Sequence, residues 1–128
     1  MVCSEVYVPE LSRILAVKGA EMVFLPAGIY KAELDDTWKV LIQARAIENM
    51  MYTATTQNLL GAEYGLCMVA SPENILGERK TEGVLTVDLD MQRIRDMRND
   101  TDRYKLPMQY RTKPGTLKQW RRPEIYGD

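Results

Sequence analysis

Cys3 is the residue of this chain whose type and setting best suit covalent chemistry. It stands in Met1-Val2-Cys3-Ser4-Glu5-Val6-Tyr7-Val8-Pro9-Glu10, ahead of the apolar-periodic segment Leu11-Ser12-Arg13-Ile14-Leu15. Proline suits a first helical position, where its missing N–H would find no partner anyway, and Glu10 complements the positive end of the helix. The spacing therefore places Cys3 on a tight strand-to-helix junction, close to free backbone N–H groups that favour a thiolate. Glu5 follows two residues later, so in an extended strand it would share a face with Cys3 and either orient substrate or tune the thiol. On spacing alone a second reading stays open, because a lone cysteine at a strand end also serves as a small buried hydrophobe.

Composition narrows the chemistry. The 128 residues contain no histidine. A Ser-His-Asp triad, a Cys-His dyad and a histidine-ligated metal are all excluded from this sequence. Any base acting on Cys3 must be a carboxylate or a lysine. Two cysteines, Cys3 and Cys67, are too few for a disulfide scaffold or a zinc site. Cys67 has no acid, base or second thiol at useful spacing and reads as core packing. Hydrophobic residues at 45% and charged residues at 27% describe an ordinary globular domain. A net charge of −1 gives no general attraction to nucleic acid or to anionic lipid. No apolar run reaches the ~20 residues that span a bilayer, and no signal-peptide layout opens the chain, so cytoplasmic residence is expected.

The elements that must position Cys3 read as α/β. Met1 to Glu5 forms a short strand, Pro9 to Lys18 a helix with Leu11, Ile14 and Leu15 on its inner face, and Gly19 a left-handed stop. Glu21 to Leu25 is an apolar run that suits a strand covered on both faces, completing a βαβ unit. A loop from Ala27 to Asp36 lies at the carboxyl end of that strand, where open α/β sheets bind ligands. Asp35 or Asp36 caps a helix from Thr37 to Met51. Trp38, Leu41, Ile42, Arg45 and Glu48-Asn49 share one stripe of that helix. Arg45 and Glu48 need partners if buried; Glu10 is a candidate for Arg45, and a solvated Arg45–Glu48 pair is the alternative. Strands follow at Tyr52–Gln57, Gly65–Ala70, Ile75–Arg79 and Gly83–Leu89, with a type I turn at Ser71-Pro72-Glu73-Asn74. Asp90 caps a short helix through Arg98 that turns Ile94 and Met97 inward. From Asn99 the tail is basic, aromatic and aperiodic. Its alternating charges and lack of a recognised binding fold argue against nucleic acid.

Cys3 to Glu10 resembles the nucleophile motif of the nitrilase, or carbon–nitrogen hydrolase, superfamily, in which Pro-Glu follows the cysteine six and seven residues later. The similarity continues in order through Leu11 to Glu21, Pro26, Trp38, Arg45-Ala46-Ile47-Glu48-Asn49, Asn58 with Gly61, Ser71-Pro72 and Gly83 to Asp90. Asn74 departs from it, since the family more often has glycine there and asparagine is the next most tolerant of left-handed geometry.

The resemblance implies an α-β-β-α sandwich, of which this chain is the C-terminal half. Residues 1–98 belong to the hydrolase domain, and 99–128 form a tail that packs on the domain or on a partner subunit. It implies cleavage of a non-peptide carbon–nitrogen bond in a small amide, carbamoyl compound or nitrile, through a thioester on Cys3. The backbone N–H of Ser4 would stabilise the oxyanion. Glu5, Gly28 and Tyr30 would contact substrate, while Glu10, Arg45 and Glu48 would be structural. No cofactor or metal is implied. The family's catalytic Glu and Lys lie upstream of its cysteine, and only two residues precede Cys3. The chain alone is therefore expected to be inactive and to need its missing half or a partner chain. By resemblance its two long helices form a homo-oligomer surface, with no nucleic-acid or membrane partner. A non-catalytic interaction subunit of the same fold is the competing reading.

Overall fold

The computed structural model describes residues 1–28, 34–57, 65–99 and 121–126. The chain forms two compact units, Met1–Leu89 and Asp90–Asp128. The first begins with a 3-10 helix at Cys3–Tyr7 and continues through α1 (Pro9–Val17), β1 (Met22–Ala27), α2 (Asp35–Asn49), β2 (Tyr52–Gln57), β3 (Cys67–Ala70) and β4 (Ile75–Arg79). The second holds α3 (Met91–Asn99) and the single turn α4 (Pro123–Tyr126).

Four strands form one mixed sheet in the order β1-β2-β3-β4. β1 and β2 run parallel, with Val23 opposite Thr53 and Leu25 opposite Thr55. β2–β3 and β3–β4 are antiparallel, and a bulge at Val69/Ala70 interrupts the second pair. The β1–α2–β2 segment is thus the βαβ unit, one element later than the sequence suggests. Met1 to Glu5 is not a strand. Extended backbone ends at Val2 (φ −131°, ψ 130°), and Cys3 at φ 48° turns the chain into the 3-10 helix.

The sheet face toward α2 carries a buried layer, and on β2 the opposite face is buried as well, at Tyr52 and Ala54. Thr53 Oγ1 donates to the Ile42 carbonyl of α2 at 2.9 Å, and Trp38 Nε1 donates to Thr55 Oγ1 at 3.2 Å. Thr55 Oγ1 donates in turn to the Leu25 carbonyl at 2.8 Å. Val23, Leu25, Ile42, Ala46, Met68 and Ala70 are buried with them. Alternation then puts Phe24 and Pro26 on the opposite face, where both are exposed. β1 is therefore not covered on both faces. Its burial alternates residue by residue, and Phe24 is 63% exposed. Cys67, next to the solvent-exposed strand β4, is half-buried rather than core.

Helix positions differ from expectation where polar residues decide the packing. On α1 the buried residues are Ser12 and Ala16, while Ile14 is exposed. Small side chains let α1 and α2 approach, and Asn49 Nδ2 donates to Ser12 Oγ at 3.1 Å. Neither Asp35 nor Asp36 caps α2. Its N-cap is Leu34 with no side-chain bond, and the Asp35 carboxylate instead takes Lys80 and Lys39. α2 ends in a left-handed stop at Met50 (φ 47°), a fully buried residue.

Residues 83–89 make no strand. Leu85 and Val87 lie over Gly77 instead, close enough that a Cβ there would sit 3.1 Å from each. Asn74 is not left-handed, because Ser71 Oγ accepts the Glu73 and Asn74 N–H groups and closes the turn without positive φ. In the second unit Asp90 does cap α3, with its Oδ1 accepting the Arg93 N–H at 3.0 Å, and Ile94 and Met97 are buried. No helix among the described residues is long and apolar enough to cross a membrane.

Candidate active site

Cys3 occupies a backbone conformation that few L-residues adopt. Its φ of 48° is one of two positive values among the described non-glycine residues. The left-handed region costs a residue with a Cβ roughly 1–2 kcal/mol, and such strain concentrates where a side chain must be aimed. The first bond of the 3-10 helix runs from the Glu5 N–H to the Val2 carbonyl at 3.1 Å. The N–H groups of Cys3 and Ser4 precede that bond and find no partner within the helix. The half-buried Cys3 therefore stands at the head of a turn, beside two N–H groups that have no partner within the helix.

Two side chains hold this turn. Glu5 folds back so that its Oε2 accepts the Val2 N–H at 2.7 Å. In a 3-10 helix the residue two places on points elsewhere, so Glu5 does not share a face with Cys3 as an extended strand would require. From α2, Arg45 Nε donates to the Val6 carbonyl at 2.9 Å, and Arg45 Nη1 meets Glu48 Oε1 at 2.5 Å. Arg45 is buried and Glu48 is half-exposed. Glu10 takes no part: it is exposed on the first turn of α1, and Arg45 pairs with Glu48 instead. Arg13 Nη2 donates to the Glu48 carbonyl at 2.6 Å, and Asn49 Nδ2 donates to the Arg45 carbonyl at 2.9 Å. Arg45, Glu48, Asn49, Ser12 and Arg13 thus link α1, α2 and the Cys3 turn in one partly buried polar network.

Beyond the turn, Tyr7 packs edge-on against Trp38 with ring centroids 6.3 Å apart. Gly28 is exposed just past the carboxyl end of β1. Tyr30 lies outside the described residues, as do Asn58 and Gly61. Among the described residues, no group of three or more His, Cys, Asp or Glu side chains is arranged to hold a metal. The capping role of Glu5 had a readable signal, since an acid three residues after a cap position reaches back to the cap N–H. Arg45 on Val6 had none, because 39 residues separate the partners.

The carbon-nitrogen hydrolase family profile matches residues 1–99. The chain belongs to the carbon-nitrogen hydrolase family. Deaminated glutathione amidases are similar to it: the Synechocystis sp. (strain PCC 6803 / GT-S) protein is 32% identical over 107 residues, covering 76% of this chain and 38% of the relative. The Homo sapiens protein is 31% identical over 134 residues, covering 99% of this chain and 37% of the relative. The chain therefore spans less than two fifths of the length of these relatives. Among solved structures, an amidase from Nesterenkonia sp. matches at 33% identity and a TM-score of 0.62, over 83% of this chain and 42% of that one. A Saccharomyces cerevisiae member of branch 10 of the nitrilase superfamily matches at 26% identity and a TM-score of 0.67, over 79% and 40%. A glutamate-to-glutamine variant of the Nesterenkonia amidase carries the acetamide moiety of fluoroacetamide, added covalently at its active-site cysteine. The fold of this family member is accordingly a partial nitrilase-like α/β fold.

Proposed function

We propose that Cys3 is the nucleophile of a carbon–nitrogen hydrolase acting on a small amide, and that the chain carries the nucleophile-bearing part of that enzyme. The observation that carries the reading is the left-handed Cys3 at the junction of extended Val2 and the 3-10 helix, with the Ser4 N–H ahead of that helix's first bond. The Cys3 sulfur attacks the amide carbon, and the carbonyl oxygen takes the negative charge. The Ser4 N–H donates to that oxygen. The C–N bond breaks, nitrogen leaves protonated as ammonia or an amine, and the acyl group remains as a thioester. Water then cleaves the thioester, releasing a carboxylic acid and restoring the thiol. Carbamoyl compounds follow the same sequence, while a nitrile first forms a thioimidate on Cys3, to which one water adds before nitrogen leaves as ammonia and the thioester remains. Among amides, deaminated glutathione is the first to test, given the relatives named for it.

By the resemblance to the family, the base is a Glu and the second oxyanion donor a Lys. Under this reading both come from a segment outside these 128 residues, in the same polypeptide or a partner. Loss of one oxyanion donor alone typically lowers the rate by ~10²–10³, so the chain by itself turns over next to no substrate. Residues 1–98 form the hydrolase part, and the assembled enzyme is a cytoplasmic homo-oligomer.

The test joins this chain to the Glu- and Lys-bearing amino-terminal half of a family member and measures ammonia release from small amides. The reading predicts release that Cys3→Ala abolishes and Cys67→Ala leaves in place. Release that survives Cys3→Ala, or a folded assembly that releases none, overturns it and favours a non-catalytic subunit.

A further inference from the structure

The strained cysteine needs something to hold it. A left-handed residue with a Cβ persists only where its surroundings over-determine it. Ser4 and Cys3 themselves supply no such constraint, since their N–H groups precede the first bond of the 3-10 helix. The constraint comes from either side. Before the thiol, Val2 and Glu5 are bonded twice: the Val2 N–H to Glu5 Oε2 at 2.7 Å, and the Glu5 N–H to the Val2 carbonyl at 3.1 Å. After it, the Val6 carbonyl accepts Arg45 Nε at 2.9 Å, and Glu48 orients the guanidinium through Nη1 at 2.5 Å. Val6 is fully buried and the Arg45 side chain is 7% exposed, so this second bond is shielded from water.

We infer that Glu5 and Arg45 are positioning residues forming a two-point clamp, which fixes the chain on both sides of Cys3 and holds the thiol in its left-handed setting. Glu5 thereby acts on the backbone rather than on substrate. Arg45 acts on the nucleophile turn rather than merely tying helix to sheet. The inference rests on the nucleophile reading of Cys3. A reacting atom displaced by about 1 Å can lose ~10²-fold in rate, which gives the clamp its purpose. The two points differ in character. The Glu5 bond is local and exposed; the Arg45 bond spans the fold and is buried.

The test uses the full chain and reads two quantities at matched folded fraction. One is the iodoacetamide alkylation rate of Cys3 relative to Cys67, the internal reference. The other is the intraresidue amide-to-Hα nuclear Overhauser effect of Cys3, which the left-handed conformation makes strong. Glu5→Ala should weaken that effect and lower the Cys3:Cys67 ratio roughly three- to tenfold, the span of one hydrogen bond. Glu5→Gln keeps an acceptor oxygen and should restore both readouts, although it also lacks the charge. Arg45→Lys keeps the charge against Glu48 but loses the Nε donor to the Val6 carbonyl, and should lower both readouts without unfolding the chain. Unchanged readouts in Glu5→Ala and Arg45→Lys overturn the clamp. A ratio that rises equally in Glu5→Ala and Glu5→Gln makes Glu5 a charge effect and also overturns it. A wild-type Cys3 with the strong effect, yet no faster than Cys67, overturns the nucleophile reading instead.

Discussion

Arg45 on α2 reaches across 39 residues of sequence to the Val6 carbonyl at 2.9 Å, so a buried guanidinium anchors the turn that starts at Cys3. Burying that charge is tolerable because Glu48 meets it, and removing one partner of a buried pair leaves the other uncompensated. Glu48→Ala, which strands the buried guanidinium, should therefore cost about 1–3 kcal/mol of stability in urea denaturation. Glu48→Gln keeps an acceptor for Arg45 Nη1 and should cost clearly less. Equal costs would contradict this account of the pair.

Helix α2 shows its inner and outer faces in two neighbouring residues. Ile42 is fully buried over the sheet and Val40 is 66% exposed. Ile42→Ala should lose about 2–5 kcal/mol, while Val40→Ala stays within about 0.5 kcal/mol of the parent, both by urea denaturation.

The turn after β4 depends on Gly83. Its φ of 138° is unsuited to a side chain, and a Cβ there would collide with the Arg79 guanidinium, which donates to the Thr81 and Glu82 carbonyls. Gly83→Ala should destabilise the first unit by about 1–3 kcal/mol in thermal melts. Adding Arg79→Ala should recover only the steric part of the loss, because the φ penalty remains. Full recovery would contradict the backbone account.

Several elements are legible in the chain because their causes are local. Pro9 opens α1, the β-branched run Tyr52–Gln57 makes β2, and Asp90 caps α3. The cysteine at the head of a turn is legible for the same reason, since Pro9-Glu10 marks where the helix must begin. What escapes is set by distant partners. Ser12 displaces Ile14 from the buried face of α1 because Asn49, 37 residues on, bonds to its hydroxyl. Residues 83–89 have strand-like composition yet do not pair, since Leu85 and Val87 settle over Gly77. Alternation in β1 depends on what covers Phe24, which its apolar sequence does not reveal. The direction of the Glu5 side chain is hidden for a subtler reason: one left-handed residue replaces the period of a strand with that of a 3-10 helix, and every side chain after it changes direction.

Under the proposed function, Phe24 tests where a complementary half would meet this chain. It is 63% exposed on the sheet face opposite α2. Phe24→Asp should shift the stability of the chain alone by less than about 0.5 kcal/mol. Titration calorimetry with the amino-terminal half of a family member should show binding weakened by about tenfold or more, as for a buried aromatic anchor. Unchanged affinity would place the docking surface elsewhere.

The most direct test of the central claim is covalent trapping of the thiol. The chain, assembled with the complementary half, is exposed to fluoroacetamide at neutral pH and mapped by peptide mass spectrometry. The account predicts an acetamide adduct on Cys3 with Cys67 left free. Equal modification of the two half-buried cysteines, or an adduct confined to Cys67, would contradict it.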